Sequence, residues 1–143
     1  MGEAFINGGE AFFLWKIIPN LDVNGGISYT YGQNITGDEP LRRIPPLNGK
    51  VAATYTLKKF FVSGELLIAG MQDRLAEGDK SDNRIPEGGT PGWEVVNFFA
   101  GYQLSFVKMK VGFENIFNED YRTHGSGING VGRSAWLALN IGF

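Results

Sequence analysis

The chain has 143 residues, a formal net charge of −2, no cysteine and 20% charged residues. The lack of cysteine excludes disulfide frameworks, thiolate metal sites and cysteine nucleophiles, and the small net charge gives no basis for binding nucleic acid. The length fits one domain, while 21 glycines and 13% aromatic residues favour many short strands joined by turns over a compact α/β domain.

The first third of the chain alternates between apolar and polar residues, the pattern of β-strands whose side chains point to opposite faces. It predicts a strand over 3–17, a tight turn at Pro19-Asn20 and a second strand that starts at Leu21. A polar stretch over 33–46 then interrupts the pattern with charged residues, glycine and proline.

The same alternation continues to the end of the chain, with breaks that are in turn very short and long. In order, we predict strand three from Lys50 to Leu57, a turn at Lys58-Lys59, strand four from Phe60, an irregular stretch over 71–92, strand five from Trp93, a turn near Ser105, strand six from Val107 to Glu114, a loop over 118–133 and strand seven from Ser134.

The last strand has the clearest pattern, because one of its two faces is wholly apolar up to the final residue. That face holds Ala135, Leu137, Leu139, Ile141 and Phe143, and the other holds Ser134, Trp136, Ala138, Asn140 and Gly142. Terminal segments of soluble domains usually fray, so an apolar strand at this place needs a reason. A membrane β-barrel, with lipid outside and small or polar residues inside, supplies one.

The connections support the same interpretation, since short turns alternate with long loops as they do in outer-membrane barrels. The expected fold is therefore all-β, an antiparallel meander of about seven membrane strands that forms the C-terminal part of such a barrel. No run approaches the roughly 18 apolar residues of a membrane helix, and the first residues lack the features of a signal peptide. We therefore expect residues 1–143 to be a piece of a longer exported protein.

A group of residues near the C-terminus carries a resemblance to a known family. It comprises a strand exit, a tyrosine four residues later, a Gly-Arg pair and a terminal phenylalanine, namely Glu114, Asn115, Ile116, Phe117, Tyr121, Gly132, Arg133 and Phe143. Together with the segment from Arg43 to Gly49, this group resembles the C-terminal end of TonB-dependent outer-membrane receptors.

The resemblance implies a function and a location. Such receptors take up scarce nutrients, such as ferric siderophores, haem or cobalamin, with energy from the TonB coupling complex of the inner membrane. The implied place is the bacterial outer membrane, with the C-terminus in the periplasm. The plug domain that contacts the coupling complex would precede this segment, which we expect not to transport alone. The implied partners are membrane lipid and the barrel-assembly machinery, for which Leu139, Ile141 and Phe143 form the C-terminal signal.

Basic and aromatic residues of the long loops are candidate contacts for the nutrient. They are Arg42, Arg43, Arg74, Tyr121, Arg122 and His124. We predict no metal site, because the single histidine of a loop is more often solvated than a ligand. The loop acids Asp73, Glu77, Asp79 and Asp82 lack the spacing of a calcium loop and are expected to be solvated.

Cofactor binding and catalysis are not expected. The glycines of 125–130 match a dinucleotide fingerprint by letter, but that fingerprint needs a following helix and the sequence predicts a strand there. No Ser-His-acid or paired-carboxylate arrangement is present.

Two other folds stay open at this point. A self-contained eight-stranded barrel, acting as an adhesin or structural protein, needs an even strand number and hence a break at Gly8-Gly9. A soluble β-sandwich or barrel needs the apolar faces to pack on each other.

Overall fold

A computed structural model describes residues 2–142 as one antiparallel sheet with three long loops at one end. The strands are β1 Ala4–Ile18, β2 Leu21–Asn34, β3 Glu39–Pro40, β4 Asn48–Leu57, β5 Phe60–Ala69, β6 Trp93–Gln103, β7 Val107–Glu114 and β8 Ser134–Ile141. One short helix, α1 Glu77–Lys80, lies in the second long loop. The seven long strands confirm the predicted meander, whereas β3 and α1 were not foreseen.

The strands pair in chain order, except that the two-residue β3 lies beside β2 and leaves β2 free to pair with β4. Within residues 2–142, β1 pairs only with β2 and β8 only with β7, so both edges of the sheet are open. β1 continues through Gly8 and Gly9, which pair with Thr30 and Tyr29. The hairpin break that the eight-stranded barrel requires is therefore absent there, and that alternative is not supported.

The pairing register keeps the predicted faces together across the whole sheet, because directly paired residues lie on the same face. The face that carries Leu137 and Leu139 is called the outer face here, and the opposite one the inner face. Outer pairs include Val51 with Leu66, and Leu66 with Val96. Inner pairs include Asn24 with Ala52, Ala52 with Glu65, Glu65 with Asn97, Gly112 with Trp136 and Lys108 with Asn140.

The outer face is apolar and uncovered. Leu137 and Leu139 are 64% and 56% exposed, and the strands of the described residues form one sheet with no second sheet over this face. The apolar faces therefore do not pack on each other, and the sandwich interpretation is wrong. No helix in the described part of the chain is long and apolar enough to cross a membrane.

The inner face is mixed rather than polar throughout. The Phe99 ring lies 6.1 Å from the Trp136 ring, and Trp136 covers Gly112 so closely that a Cβ on this glycine would overlap the indole. The indole Nε1 donates to Glu114 Oε1 at 2.9 Å. Glycine at 112 thus makes room for a large ring on the adjacent strand.

The buried core lies at the long-loop end. Short turns at 19–20, 58–59 and 104–106 form one end of the sheet, and loops at 35–47, 70–92 and 115–133 form the other. Of four buried apolar residues in the described chain, Ile44, Ala76 and Ile85 belong to these loops and only Val95 to a strand. The loops therefore pack on one another as a small domain does.

Candidate functional site

The three long loops are joined by direct hydrogen bonds. In the second loop, Gln72 forms a β-bridge with Thr90, and its Nε2 donates to the carbonyl of Ile44 in the first loop at 2.7 Å. In the third loop, Arg122 Nη1 donates to the carbonyl of Arg84 at 3.4 Å. The candidate residues of the loops are thus held in one structure and not on separate mobile segments.

Two aspartates of the second loop bind the arginines of the first. Asp79 is fully buried and accepts from the Arg43 backbone N–H at 3.1 Å and from Arg42 Nε at 3.4 Å. Asp82 contacts Arg42, Arg43 and Arg84 at 3.6, 3.4 and 2.6 Å. The expectation that these acids are solvated is wrong for Asp79 and Asp82, because Arg42 and Arg43 of the first loop contact them and Arg84 also pairs with Asp82.

The arginine contacts also set the charge of Asp82. Its hydrogen bonds from the Arg84 side chain and backbone hold the pKa of the Asp82 carboxyl well below its usual range, since they stabilise the ionised form. Arg42 and Arg43, both candidate ligand contacts, are therefore already engaged by carboxylates. Their side chains remain half exposed.

Arg74 and Tyr121 each pack on an aromatic ring. The Arg74 guanidinium lies 4.0 Å from the centre of the Tyr31 ring, a cation–π arrangement, and donates to Gln33 Oε1 at 2.8 Å. The Tyr121 ring lies 4.6 Å from that of Trp93. Both side chains thus attach a loop to the end of a strand.

Arg122 and His124 lie together in the third loop, and both reach the second loop. Arg122 Nε donates to Asn129 Oδ1 at 2.7 Å. His124 Nδ1 lies 2.9 Å from the Thr90 hydroxyl, while its Nε2 is buried without a partner among the described residues. Burial lowers the pKa of His124, and the negative charges of Asp79 and Asp82 offset only part of this shift. The lowered pKa favours the neutral ring at pH 7.

A chain of polar side chains, of which Asn97 and Asn115 are buried, holds the base of the third loop. Glu65 accepts from Asn97 Nδ2, and Asn97 Oδ1 accepts from the backbone N–H of Asn115, both at 2.9 Å. The Asn115 amide donates to the carbonyls of Glu119 and Val131 at 2.8 and 3.0 Å, and its Oδ1 accepts from Glu119 N at 2.8 Å. Asn115 is only 2% exposed.

This role of Asn115 was missed in the sequence, although the residue belongs to the motif that carries the family resemblance. Its backbone has a φ of +49°, a left-handed conformation that asparagine adopts more readily than most residues. An asparagine directly after a strand was the available signal. It marks the sharp exit of β7 and fixes the two ends of the loop together.

A cavity of about 520 Å³ lies between the loops and the inner face. Its walls come from β1, β2, β4, β5 and β6 and from all three loops, including Arg122 and His124. Of the six candidate ligand contacts, these two line the cavity and the other four do not. Contact with a nutrient stays a prediction for all six.

The other predicted signals have simple positions. Leu139 and Ile141 are exposed on the outer face, and Phe143 lies outside the described residues. Gly125, Gly127 and Gly130 belong to a loop that no helix follows. Within residues 2–142, no group of three His, Asp or Glu side chains converges in a way that could hold a metal ion.

The fold is shared with solved transport proteins. The copper transporter OprC superposes with a TM-score of 0.87 at 23% identity, covering 98% of this chain and 24% of that one. A FrpB iron transporter from Neisseria meningitidis gives 0.78 at 18% identity, covering 98% and 23%. The apoprotein form of another FrpB variant, F5-1, gives 0.78 at 16% identity, covering 98% and 24%.

The chain thus spans about a quarter of each of these structures, and identities this low show a common fold only. No curated protein matches the sequence. The family model described as TonB dependent receptor-like, beta-barrel matches residues 1–118, which is most of the chain. The chain therefore belongs to the TonB-dependent receptor family and forms part of its β-barrel.

Proposed function

We propose that residues 1–143 are the C-terminal part of an outer-membrane receptor that actively takes up a scarce nutrient. The observation that carries this is the convergence of three long, mutually packed loops over the inner face of a family-typical barrel sheet. A ferric siderophore, haem or cobalamin fits the resemblance, and the names of the neighbours add copper and iron as candidates. Binding and transport, not catalysis, is the proposed activity.

In this proposal the sheet is one part of a larger closed barrel. Two open edges leave unpaired backbone groups that cost several kcal/mol each in hydrocarbon, and further strands of a longer protein satisfy them. A preceding plug domain makes the contact with the TonB complex. Lipid surrounds the outer face, and the C-terminus lies in the periplasm.

Uptake by cells tests the proposed function. A strain that lacks the gene should lose energy-dependent accumulation of one nutrient from a panel of labelled ferric siderophores, haem, cobalamin and copper, and the restored gene should recover it. The same accumulation should stop when TonB is deleted. Two results would contradict active transport by this protein. One is uptake that persists without TonB, and the other is accumulation of every nutrient in the panel that is unchanged when the gene for this protein is deleted.

Site-specific labelling tests the proposed orientation. Residues 1–143 contain no cysteine, and Glu87, Ile128 and Lys59 are exposed. With a maleimide that does not cross membranes, Glu87→Cys and Ile128→Cys should react on intact cells, because they lie in long loops. Lys59→Cys should react only after lysis. The reverse pattern would place the long loops in the periplasm.

We also infer that the apolar face of β8 is the signal read by the barrel-assembly machinery. Leu139 and Ile141, 56% and 57% exposed, support this. Replacing both by asparagine should reduce crosslinking of the last strand to the machinery, while the same change at Val51 and Leu66 should not. Equal crosslinking in both double variants would contradict this inference and leave lipid contact as the only role of this face.

A further inference from the structure

A groove of about 500 Å³ lies on the outer face of the sheet, where β6, β7 and β8 meet the third loop. Its lining residues are Phe98, Phe113, Ile116, Arg133, Ser134 and Ala135. Phe113 pairs with Phe98 on one side and with Ala135 on the other, so the short alanine side chain leaves a depression beside two rings. The backbone N–H of Ile116 donates to the Val96 carbonyl at 2.9 Å, which fixes the loop end of the groove. The groove is therefore apolar except for one arginine, and no carboxylate of the described residues lines it.

Arg133 differs from the other arginines of the chain, because its side chain has no hydrogen-bond or ion-pair partner among residues 2–142. The other five each donate from the side chain to a protein oxygen: Arg42 to Asp79, Arg43 and Arg84 to Asp82, Arg74 to Gln33, and Arg122 to Asn129. Arg133 is held by its backbone, whose N–H donates to Asn118 Oδ1 at 2.9 Å. Since Arg133 is exposed, its guanidinium group is available to a partner outside the chain.

The position of Arg133 matches the boundary of a membrane. It directly precedes β8, whose 8 residues cover about 26 Å along the strand at about 3.3 Å per residue. With a tilt of about 40°, this is about 20 Å across the membrane, which nearly fills an apolar band of about 25 Å. Arg133 alternates with Ala135 and Leu137 and so lies on the outer face. An outward-facing arginine costs little at this boundary, and it meets the headgroups of the lipids there.

We propose that this groove binds a membrane lipid with an anionic phosphate headgroup, in the leaflet at the long-loop end. One acyl chain lies along Phe98, Phe113 and Ala135, and the phosphate accepts hydrogen bonds from Arg133. A guanidinium group suits a phosphate because its planar donors make two parallel hydrogen bonds. The proposal uses the membrane location of the barrel family and is independent of the nutrient that the receptor takes up.

Matched lipids test this with the full-length protein that carries residues 1–143, purified in a non-ionic detergent. Dimyristoyl phosphatidylglycerol and dimyristoyl phosphatidylcholine have the same acyl chains, but the choline of the second neutralises its phosphate. Native mass spectrometry of titrations with each lipid should give a Kd for the one-lipid complex that is about fivefold lower for phosphatidylglycerol. Glycerol 3-phosphate at the same concentration should not reduce this binding, because it lacks acyl chains.

Variants assign the effect to the groove. Arg133→Gln should raise the Kd of phosphatidylglycerol about fivefold and change that of phosphatidylcholine less than about twofold, because it removes the charge alone. Ala135→Phe fills the depression beside Phe113 without a change in charge, so it should weaken both lipids about fivefold. Lys59→Gln removes the same charge from an exposed turn at the other end of the sheet and should match the wild type.

The outcomes separate this proposal from the uptake function. Equal binding of the two lipids by the wild-type protein, or a preference that survives Arg133→Gln in folded protein, overturns the lipid site. An equal loss of preference in Lys59→Gln also overturns it, because any surface charge would then suffice. If Arg133→Gln does not fold, Ala135→Phe and the preference of the wild-type protein decide instead. Uptake that depends on TonB together with no lipid preference refutes the lipid site alone, and a lipid preference without such uptake refutes transport alone.

Discussion

Arginine at Leu137 or Leu139 should destabilise the folded barrel by about 2–4 kcal/mol, the cost of a basic side chain on the lipid face near the midplane. Both leucines lie on the outer face and are more than half exposed, so the charge would replace apolar contact with hydrocarbon. Ser134→Arg and Asn140→Arg place the same group on the inner face, where Ser134 pairs with Glu114. These two variants should cost less than about 1 kcal/mol.

Folding of the full-length protein into lipid vesicles measures this difference. Heat modifiability on gels gives the folded fraction, and denaturant titration gives the change in the free energy of unfolding. The inner-face variants serve as controls for the added bulk and charge, because they alter the same strand. Equal destabilisation on the two faces would refute the assignment of the outer face to lipid.

Replacing Asn115 by alanine should destabilise the third loop by about 3 kcal/mol. The change removes three side-chain hydrogen bonds and leaves two carbonyls and one N–H in a largely buried place without partners; unmade buried bonds cost about 1–3 kcal/mol each, and water entry offsets part of the sum. Alanine also tolerates the φ of +49° poorly. Hydrogen exchange over 115–133 should rise by about two orders of magnitude.

Two variants separate the causes. Asn115→Gly accepts the left-handed backbone but still loses the hydrogen bonds, so it should recover only the backbone part, about 1 kcal/mol. Asn118→Ala is a matched control, because Asn118 also has a positive φ of 57° and makes one side-chain bond, to Arg133 N at 2.9 Å. Full protection in Asn115→Ala would show that the loop does not depend on this side chain.

The sheet was predictable from the sequence because its signals are local. Alternation depends on neighbouring residues, and a two-residue turn such as Lys58-Lys59 fixes which residues pair across it. Val62 opposite Tyr55 follows from these two facts alone. The strand order follows as well, since a meander joins strands that are adjacent in the chain.

The loop structure was not predictable, because it depends on pairs far apart in the chain. Arg42 meets Asp79 across 37 positions, and nothing in either neighbourhood selects that partner over another acid. Asp79, which the sequence predicts to be solvated, is therefore fully buried. The cavity depends on the same distant contacts. The sequence therefore identifies His124 as a candidate but does not predict which residues surround it.

The packing of the three loops has a consequence for immune recognition of this end of the protein. A synthetic peptide copied from 70–92 would keep Arg84 but would lack Arg42 and Arg43, which contact Asp79 and Asp82, and the carbonyl that binds Gln72. Antibodies raised against it should bind denatured protein better than folded protein. The surface of the folded loops is a composite epitope, and only an immunogen that contains all three loops on their sheet would present it.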